Sequence, residues 1–153
     1  MGRMEIRVVP YDHPDAESLI AEVQAEYVIR YGGHDGTRVH PEEFAPPQGL
    51  FMVGYVDDVP VASGGWRAHE DGSAEIKRMY VVPSARGKGF ARQLLAELEL
   101  TAKRAGHHRI ILETGSKQPE AAALYRSAGY TDVPGFGYYA GYASALHLGK
   151  SLE

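Results

Sequence analysis

The sequence predicts an α/β protein with one mixed β-sheet and helices packed against it. Its 153 residues suit a single domain, and apolar residues switch between strand-like and helical spacing along the chain. Glycine or proline falls between most of these segments. The predicted order is strand, helix, loop, three strands, helix, strand, helix and two strands, which indicates a mixed sheet. We therefore expect one domain over residues 1–153.

The first predicted strand covers residues 4–9, and a helix follows from Pro14. Asp12 can cap this helix, proline suits its first turn, and Gly32 ends it. Its apolar stripe has helical spacing and consists of Leu19, Ile20, Val23 and Tyr27. The stretch from 32 to 49 is rich in glycine and proline, so we expect a long loop there, of a length that is usually functional or mobile.

An antiparallel meander of three strands is predicted next. The strands cover residues 50–56, 59–68 and 74–82. Asp57 and Asp58 form the turn between the first two strands, and Pro83 stops the third. This part of the sheet is therefore expected to be antiparallel.

A strand–helix–strand crossover is predicted between residues 74 and 114. Its helix covers 87–105 and ends at Gly106, and its second strand covers 108–114. Such a crossover makes the two strands parallel neighbours. The remaining predicted elements are a helix over 118–128 and strands over 129–133 and 141–148.

The composition argues against several classes of partner and chemistry. The formal net charge of −4 makes whole-chain attraction to nucleic acid improbable. The sequence has no cysteine, which excludes a disulfide framework, a thiolate zinc site and a cysteine nucleophile. No apolar run approaches the roughly 18 residues of a membrane span, and no signal-peptide pattern is present. We expect a cytoplasmic protein that binds neither nucleic acid nor membrane.

Acidic and imidazole side chains cluster in the long loop, but their spacing matches no known metal site. They are His34, Asp35, His40, Glu42 and Glu43. We therefore expect no metal.

A basic, glycine-containing stretch lies between the third strand of the meander and the next helix. Gly87 and Gly89 leave the backbone open, and a helix N-terminus carries free N–H groups and partial positive charge. Arg86, Lys88 and Arg92 add three positive charges with no acid among them. This pattern predicts a phosphate or pyrophosphate site. The alternative is a helix start softened by glycine, with solvated basic side chains.

Two motifs resemble the GNAT superfamily of acetyl-CoA-dependent N-acetyltransferases. Arg86-x-x-Gly89-x-Ala91 matches that family's pyrophosphate signature, (Gln/Arg)-x-x-Gly-x-(Gly/Ala). Downstream, the run from Ala121 to Tyr130 resembles its second cofactor motif, Ala-x-x-Leu-Tyr-x-x-x-Gly-(Phe/Tyr). The order of elements from residue 4 to about 148 is also similar to that of the family.

The resemblance implies a central mixed sheet with splayed parallel strands and helices on both faces. The pantetheine arm of acetyl-CoA would lie in the gap, paired with the main chain of the third meander strand, where Tyr80 or Val81 would polarise the thioester carbonyl. The basic loop would hold the pyrophosphate. The implied cofactor-binding residues are Met79, Tyr80, Val81, Val82, Arg86, Gly87, Lys88, Gly89, Phe90, Ala91 and Arg92.

The resemblance also implies catalytic residues. Tyr125 matches the position of the family's usual general acid. A tyrosine suits this role because it stays protonated at neutral pH and can donate to the leaving thiolate. The alternative is that Tyr125 is a core aromatic residue. Glu75 or Glu113 would deprotonate the amine, directly or through water. Either glutamate could instead be an ordinary charge on a sheet face or strand end. With no cysteine, direct attack in a ternary complex is expected.

The acceptor amine would lie between the first helix with its loop and the last hairpin. The candidate residues are Tyr27, Arg30, Tyr31, His34, Phe136, Tyr138 and Tyr139. Arg30 suits a carboxylate, whereas Tyr27 and Tyr31 have helix packing as an equal alternative. Periodicity does not decide whether Arg67 and Arg78 face this cavity or water.

We expect an enzyme that transfers acetyl from acetyl-CoA to a small-molecule amine or a peptide amine. The alternative is a non-catalytic module that binds or senses acyl-CoA with the same fold. Because the family often forms dimers, a homodimer is one expectation.

Overall fold

The computed structural model describes residues 2–153, which contain seven strands and three α-helices. The elements are β1 Glu5–Val8, α1 Pro14–Tyr31, β2 Gly49–Val56, β3 Val59–Ala68, β4 Ser73–Val81, α2 Phe90–Arg104, β5 Arg109–Gly115, α3 Pro119–Ser127, β6 Thr131–Asp132 and β7 Ala145–Ser151. Short 3₁₀ turns cover Pro41–Phe44 and Pro83–Ala85. None of the helices formed by these residues is long and apolar enough to cross a bilayer.

The strands form one sheet in the order β1-β2-β3-β4-β5-β7-β6. All neighbouring strands are antiparallel except β4 and β5, which are parallel. The predicted fold class and the predicted crossover are confirmed. The last hairpin returns inward, so β7 pairs with β5 along its whole length and β6 lies at the edge.

The two parallel strands separate soon after they begin. Their pairing joins three residues of each strand, Ser73–Glu75 with Arg109–Ile111. Beyond this point β4 continues to Val81 and β5 to Gly115 without further pairing. The expected splay is therefore present, and it leaves backbone edges free to face a gap.

Helices cover both faces of the sheet, as expected. The apolar stripe of α1 buries Leu19 and Val23 against aromatic and β-branched residues of β2. The stripe of α2 buries Leu94 and Leu98 on the opposite face, together with residues of β3, β4 and β5 and with Tyr125 of α3. Each fully buried leucine contributes about 1.5–3 kcal/mol. The two cores therefore pack on opposite faces of the sheet.

A β-bulge interrupts β4 next to the gap. Lys77 pairs with Gly65 and Tyr80 pairs with Ser63, so two residues of β4 stand opposite one of β3. Arg78 has φ +61°, and its carbonyl accepts a hydrogen bond from Ser63 Oγ at 3.1 Å. The extra residue shifts the alternation of side chains, so Lys77 and Arg78 both project toward the α1 face.

Two elements start three or more residues later than the sequence predicts. Helix α2 begins at Phe90 rather than 87, because Gly87 and Gly89 take positive φ values of 79° and 83°. The last strand begins at Ala145 rather than 141. The segment before it forms successive turns, in which the Ala140, Tyr142 and Ala145 N–H groups each donate to a carbonyl three residues back. Alternating apolar residues in that segment resemble a strand that does not form there.

Candidate active site

A cavity of about 370 Å³ lies where β4 and β5 separate. Its walls are the gap-facing ends of the two strands, the C-terminal end of α1 with the following loop, α3, and the segment before β7. Ile76 and Leu112 belong to the α2 face, whereas the residues that directly follow them, Lys77 and Glu113, belong to the α1 face. The cavity therefore passes through the sheet from one face to the other.

Tyr125 lines this cavity from helix α3. Its ring packs 5.7 Å from that of Tyr130 in the α2-side core. Burial raises the pKa of Tyr125 above the ordinary tyrosine value, and the nearby Glu113 acts in the same direction. The hydroxyl is therefore a proton donor throughout the physiological pH range.

Glu113 lines the same cavity from β5. Burial raises its pKa to about 7; the charge of Lys77 opposes this, whereas Asp35 and Glu75 add to it. Its cross-strand neighbour on β7 is His147, whose pKa is lowered by burial. A carboxyl group with such a pKa accepts and releases a proton near neutral pH, as a general base requires.

Glu75, the other candidate base, is engaged elsewhere. Its Oε1 accepts a hydrogen bond from Arg67 Nε at 3.0 Å and lies 2.9 Å from His69 Nε2. Burial alone would raise the pKa of Glu75, but the His69 contact and the charges of Lys77 and Arg67 hold it below its usual value. Among residues 2–153, Glu113 lines the cavity and Glu75 does not.

At the cavity wall, Asp35 forms ion pairs with two basic side chains, an arrangement that the sequence did not predict. Lys77 Nζ and Arg78 Nη1 each donate to Asp35 Oδ2 at 2.7 Å. Burial by itself would raise the pKa of Asp35, but Lys77, the Thr37 N–H and Arg78 lower it strongly. The bulge is the structural cause, because it brings Lys77 and Arg78 to one face. Adjacent residues of a regular strand face opposite sides of the sheet, so the sequence does not predict that Lys77 and Arg78 share a partner.

The predicted phosphate loop is open to solvent. A side chain built on Gly87 or Gly89 would meet no atom within 4 Å, and both residues need the positive φ that glycine tolerates. The Gln93 N–H is bonded to the Gly89 carbonyl, so the N–H groups of Phe90, Ala91 and Arg92 precede the helical ladder. The loop thus presents backbone donors at a helix N-terminus, as an anion site requires.

The three basic side chains of this loop have different surroundings. Arg86 donates through Nε to the Val81 carbonyl at 2.9 Å and forms an ion pair with Glu26 of α1. Arg92 donates to Ser127 Oγ at 2.7 Å. Lys88 is exposed. Arg86 therefore connects the loop to α1. The backbone N–H groups and the Lys88 side chain are the donors of this loop that stay available for an anion.

The main chain at the end of β4 discriminates between the predicted cofactor contacts. The Val82 N–H donates to the Val61 carbonyl of β3 at 2.9 Å, so it is turned away from the gap. Because successive N–H groups of a strand point to opposite edges, Tyr80 N–H also faces β3 and Val81 N–H faces the gap. Of the two candidate thioester donors, Val81 has the suitable direction.

The structure brings some of the predicted acceptor residues to the cavity. Tyr27, Tyr31, His34 and Tyr139 line it, as does Tyr142, which the sequence did not single out. Tyr31 donates its hydroxyl to Gln118 Oε1 at 3.2 Å, which joins α1 to the segment before α3.

Other predicted acceptor residues lie outside the cavity lining of the described chain. Arg30 donates to the Lys117 carbonyl at 2.9 Å and contacts Glu26. Tyr138 is 58% exposed, and Phe136 packs 5.0 Å from His147. Within residues 2–153, no group of three acidic or imidazole side chains is arranged to hold a metal.

Comparison with known proteins agrees with this geometry. The sequence model of the acetyltransferase (GNAT) family matches residues 16–130. An IAA acetyltransferase from Azospirillum brasilense is 42% identical over 135 residues, which is 88% of each chain. A proposed acyl-CoA N-acyltransferase from Klebsiella pneumoniae superposes with a TM-score of 0.83 at 26% identity over 98% of both chains. The PaiA N-acetyltransferase from Thermoplasma acidophilum, solved with coenzyme A, has a TM-score of 0.73 at 18% identity, over 98% of this chain and 99% of that one.

Proposed function

The chain belongs to the acetyltransferase (GNAT) family and is an acyltransferase, and on that premise we propose that it moves the acetyl group of acetyl-CoA to an amine. One observation carries the proposal. A carboxyl group with a pKa near 7, Glu113, and a protonated tyrosine, Tyr125, line one cavity in the gap between β4 and β5. An acid and a base in one cavity suit a reaction in which one group loses a proton and another gains one.

The open loop at the start of α2 supports acetyl-CoA as the co-substrate. The backbone N–H groups from Gly87 to Arg92, with the side chain of Lys88, would hold the pyrophosphate. The gap-facing edge of β4 would pair with the pantetheine arm. A protein of the same fold, the PaiA N-acetyltransferase, was solved with coenzyme A, which supports a coenzyme A ligand for this fold.

The chemistry follows from three groups. Glu113 takes a proton from the acceptor ammonium, directly or through one water. Val81 N–H donates a hydrogen bond to the thioester oxygen as negative charge develops there, an effect worth about 3–4 kcal/mol. Tyr125 donates its proton to the departing sulfur as the C–N bond forms and the C–S bond breaks. The acetylated nitrogen then loses its second proton, which restores the Tyr125 hydroxyl, and Glu113 returns its proton to solvent. The sequence has no cysteine to carry an acyl-enzyme, so direct attack in a ternary complex is the proposed route.

The test is release of free coenzyme A thiol when the purified chain is mixed with acetyl-CoA and a panel of amines. We expect Tyr125→Phe to lower kcat by about 10²–10⁴ with little change in the KM for acetyl-CoA. Tyr55→Phe is the matched control, because the Tyr55 hydroxyl donates to Asp15 Oδ2 at 2.6 Å and this residue does not line the cavity. Unchanged turnover in Tyr125→Phe would remove the general-acid role. Binding of acetyl-CoA without thiol release from any amine would support the non-catalytic module instead.

A further inference from the structure

Two nearly buried cations stand side by side on the acceptor side of the cavity. The side chains of Lys77 and Arg78 are 9% and 5% exposed, and both line the cavity. A buried cation is costly unless an anion pairs with it. Here one carboxylate, that of Asp35, accepts from both cations through a single oxygen.

The other charged groups near this pair do not balance the remaining positive charge. Glu75 is bound to Arg67 and His69. Glu113 is only partly ionised near neutral pH, because its pKa is about 7. Arg78 Nε faces the hydroxyl of Tyr11 at 3.3 Å, which carries no charge. Lys77 and Arg78 carry two positive charges, and Asp35 supplies one permanent negative charge. The remaining positive charge favours an anionic group on the ligand.

The two side chains also keep donors for a second anion. An ammonium group has three N–H donors and a guanidinium has five, and Asp35 takes one from each. The second carboxylate oxygen of Asp35, Oδ1, accepts from the Thr37 N–H at 3.0 Å. The backbone N–H of Asp35 donates to Gln24 Oε1 at 2.8 Å. Asp35 is thus fixed by its loop and orients the two cations toward the cavity.

We propose that the acceptor is an amine that also carries a carboxylate, as an amino acid does, and that Lys77 and Arg78 bind this carboxylate while Glu113 faces the amine. This inference rests on the proposed acetyltransferase reaction and names its substrate class. An arginine and a lysine are the side chains that recognise carboxylates best. A polyamine acceptor would instead meet two like charges. Arg78, together with Lys77, therefore replaces Arg30 as the residue proposed to bind the carboxylate.

The experiment compares acceptors that differ only in the carboxylate. L-phenylalanine, L-phenylalaninamide and 2-phenylethylamine form one such set, and the same three forms of other amino acids extend it. Thiol release measures transfer, and the thermal unfolding midpoint of the coenzyme A-bound protein measures binding independently of turnover. We expect a kcat/KM at least tenfold higher for the acids than for their amides, together with a midpoint shift from the acids alone.

Variants connect this preference to the two residues. Lys77→Gln should raise the KM for the acid at least tenfold and bring the ratio of acid to amide toward one, with the KM for acetyl-CoA unchanged. Arg78→Lys keeps the charge and should retain part of the preference. Lys103→Gln, on the far part of α2, is the control with wild-type preference. A merely structural role would lower acid and amide turnover equally.

Each outcome has a separate meaning. Equal turnover of acids and amides, or turnover of the decarboxylated amines alone, would overturn this inference and leave the acetyltransferase proposal intact. Carboxylate-dependent binding without transfer would support the site and contradict the proposed reaction. Neither binding nor transfer across the panel would overturn both.

Discussion

Two glutamates of this protein show how environment assigns a role to a residue. Both Glu75 and Glu113 lie on parallel strands beside the gap, and both are largely buried. Glu75 has Arg67 and His69 as partners, so it stays ionised at neutral pH. Glu113 has burial without a hydrogen-bonded cation, so its pKa rises to about 7. The residue type is the same, and the partners decide which one can exchange a proton.

The Glu113→Gln variant should change the pH dependence of turnover. In the wild-type enzyme we expect kcat/KM for the acceptor to rise with pH up to about 7, where Glu113 ionises. The variant should lose this limb and about 10²–10⁴ in rate. Glu120→Gln, on the exposed side of α3, is the control. Persistence of the limb in Glu113→Gln would assign the base to another group.

The same residue links stability to pH. Because folding raises the pKa of Glu113 from its ordinary 4.5 to about 7, the folded state binds the proton more tightly than the unfolded chain. The contribution of Glu113 to stability is therefore complete below pH 4.5 and decreases as pH rises toward 7. Denaturant titrations of the wild type and Glu113→Gln between these values check the sign.

At the scale of elements, the N-terminus of α2 is the part that the sequence describes best. Its glycines, its basic residues and its position after a strand are all local features. The structure adds that the helix starts at Phe90 and that Arg86 is drawn toward Glu26. The proposed pyrophosphate site thus depends more on the conformation of this loop than on its charged side chains.

Gly89→Glu tests this loop against a control at the other end of the same helix. Gly89 and Gly106 have φ values of 83° and 98°, and a Cβ on either would meet no atom within 4 Å. Gly89→Glu and the control Gly106→Glu should therefore lower the free energy of unfolding by a similar amount, about 1 kcal/mol. Only Gly89→Glu should weaken acetyl-CoA binding, by more than tenfold, because it adds negative charge at the proposed phosphate site. Equal affinity of the two variants would contradict the pyrophosphate assignment.

The loop after α1 is attached to β4 through Asp35, and this attachment is also testable. Asp35→Asn leaves Lys77 and Arg78 without a counter-charge, which should lower the free energy of unfolding by about 3–5 kcal/mol at pH 7. The pKa of Asp35 is lowered by folding, so its stabilisation is present above its ordinary value of 3.8 and is lost as pH falls below it.

Denaturant unfolding between pH 3 and 7 measures both effects of Asp35→Asn. The control is Asp132→Asn, whose carboxylate pairs with Arg126 on the exposed surface and should matter little. An Asp35→Asn variant as stable as the wild type would show that the cations are neutralised in another way.

At the scale of the whole molecule, one continuous sheet joins both halves of the site. The α1-side core and the α2-side core share β2 and β4, so the two faces of the cavity cannot be separated without breaking the sheet. We propose that residues 1–153 form a single domain that unfolds as one unit.

Thermal unfolding with acetyl-CoA tests the cofactor and the unit together. A ligand at about 100 times its Kd stabilises the folded state by about 2.7 kcal/mol. For a chain of this length the midpoint should rise by about 5–10 °C in a single transition. ADP is the comparison ligand, since it offers the pyrophosphate without pantetheine. No shift with millimolar acetyl-CoA would contradict the cofactor assignment, and two transitions would contradict the single unit.

The sequence by itself predicted the fold class, the crossover and the family, which are confirmed, and it predicted the phosphate loop, which stays a prediction. Each of these depends on residues close together in the chain: periodicity within an element, glycines at a helix start, or a motif a few residues long. Tyr125 was found in the same way, since its motif is local.

Only the tertiary structure decided which charges meet. Asp35 and Lys77 lie 42 residues apart in the chain, and their contact depends on a bulge in β4 that no residue pattern announces. The choice between Glu75 and Glu113 also depended on partners from other segments, and the exclusion of Arg30 and Tyr138 from the cavity depended on how α1 and the last loop pack. Burial and pairing are set by neighbours in space, so the electrostatics of this site is a property of the folded chain.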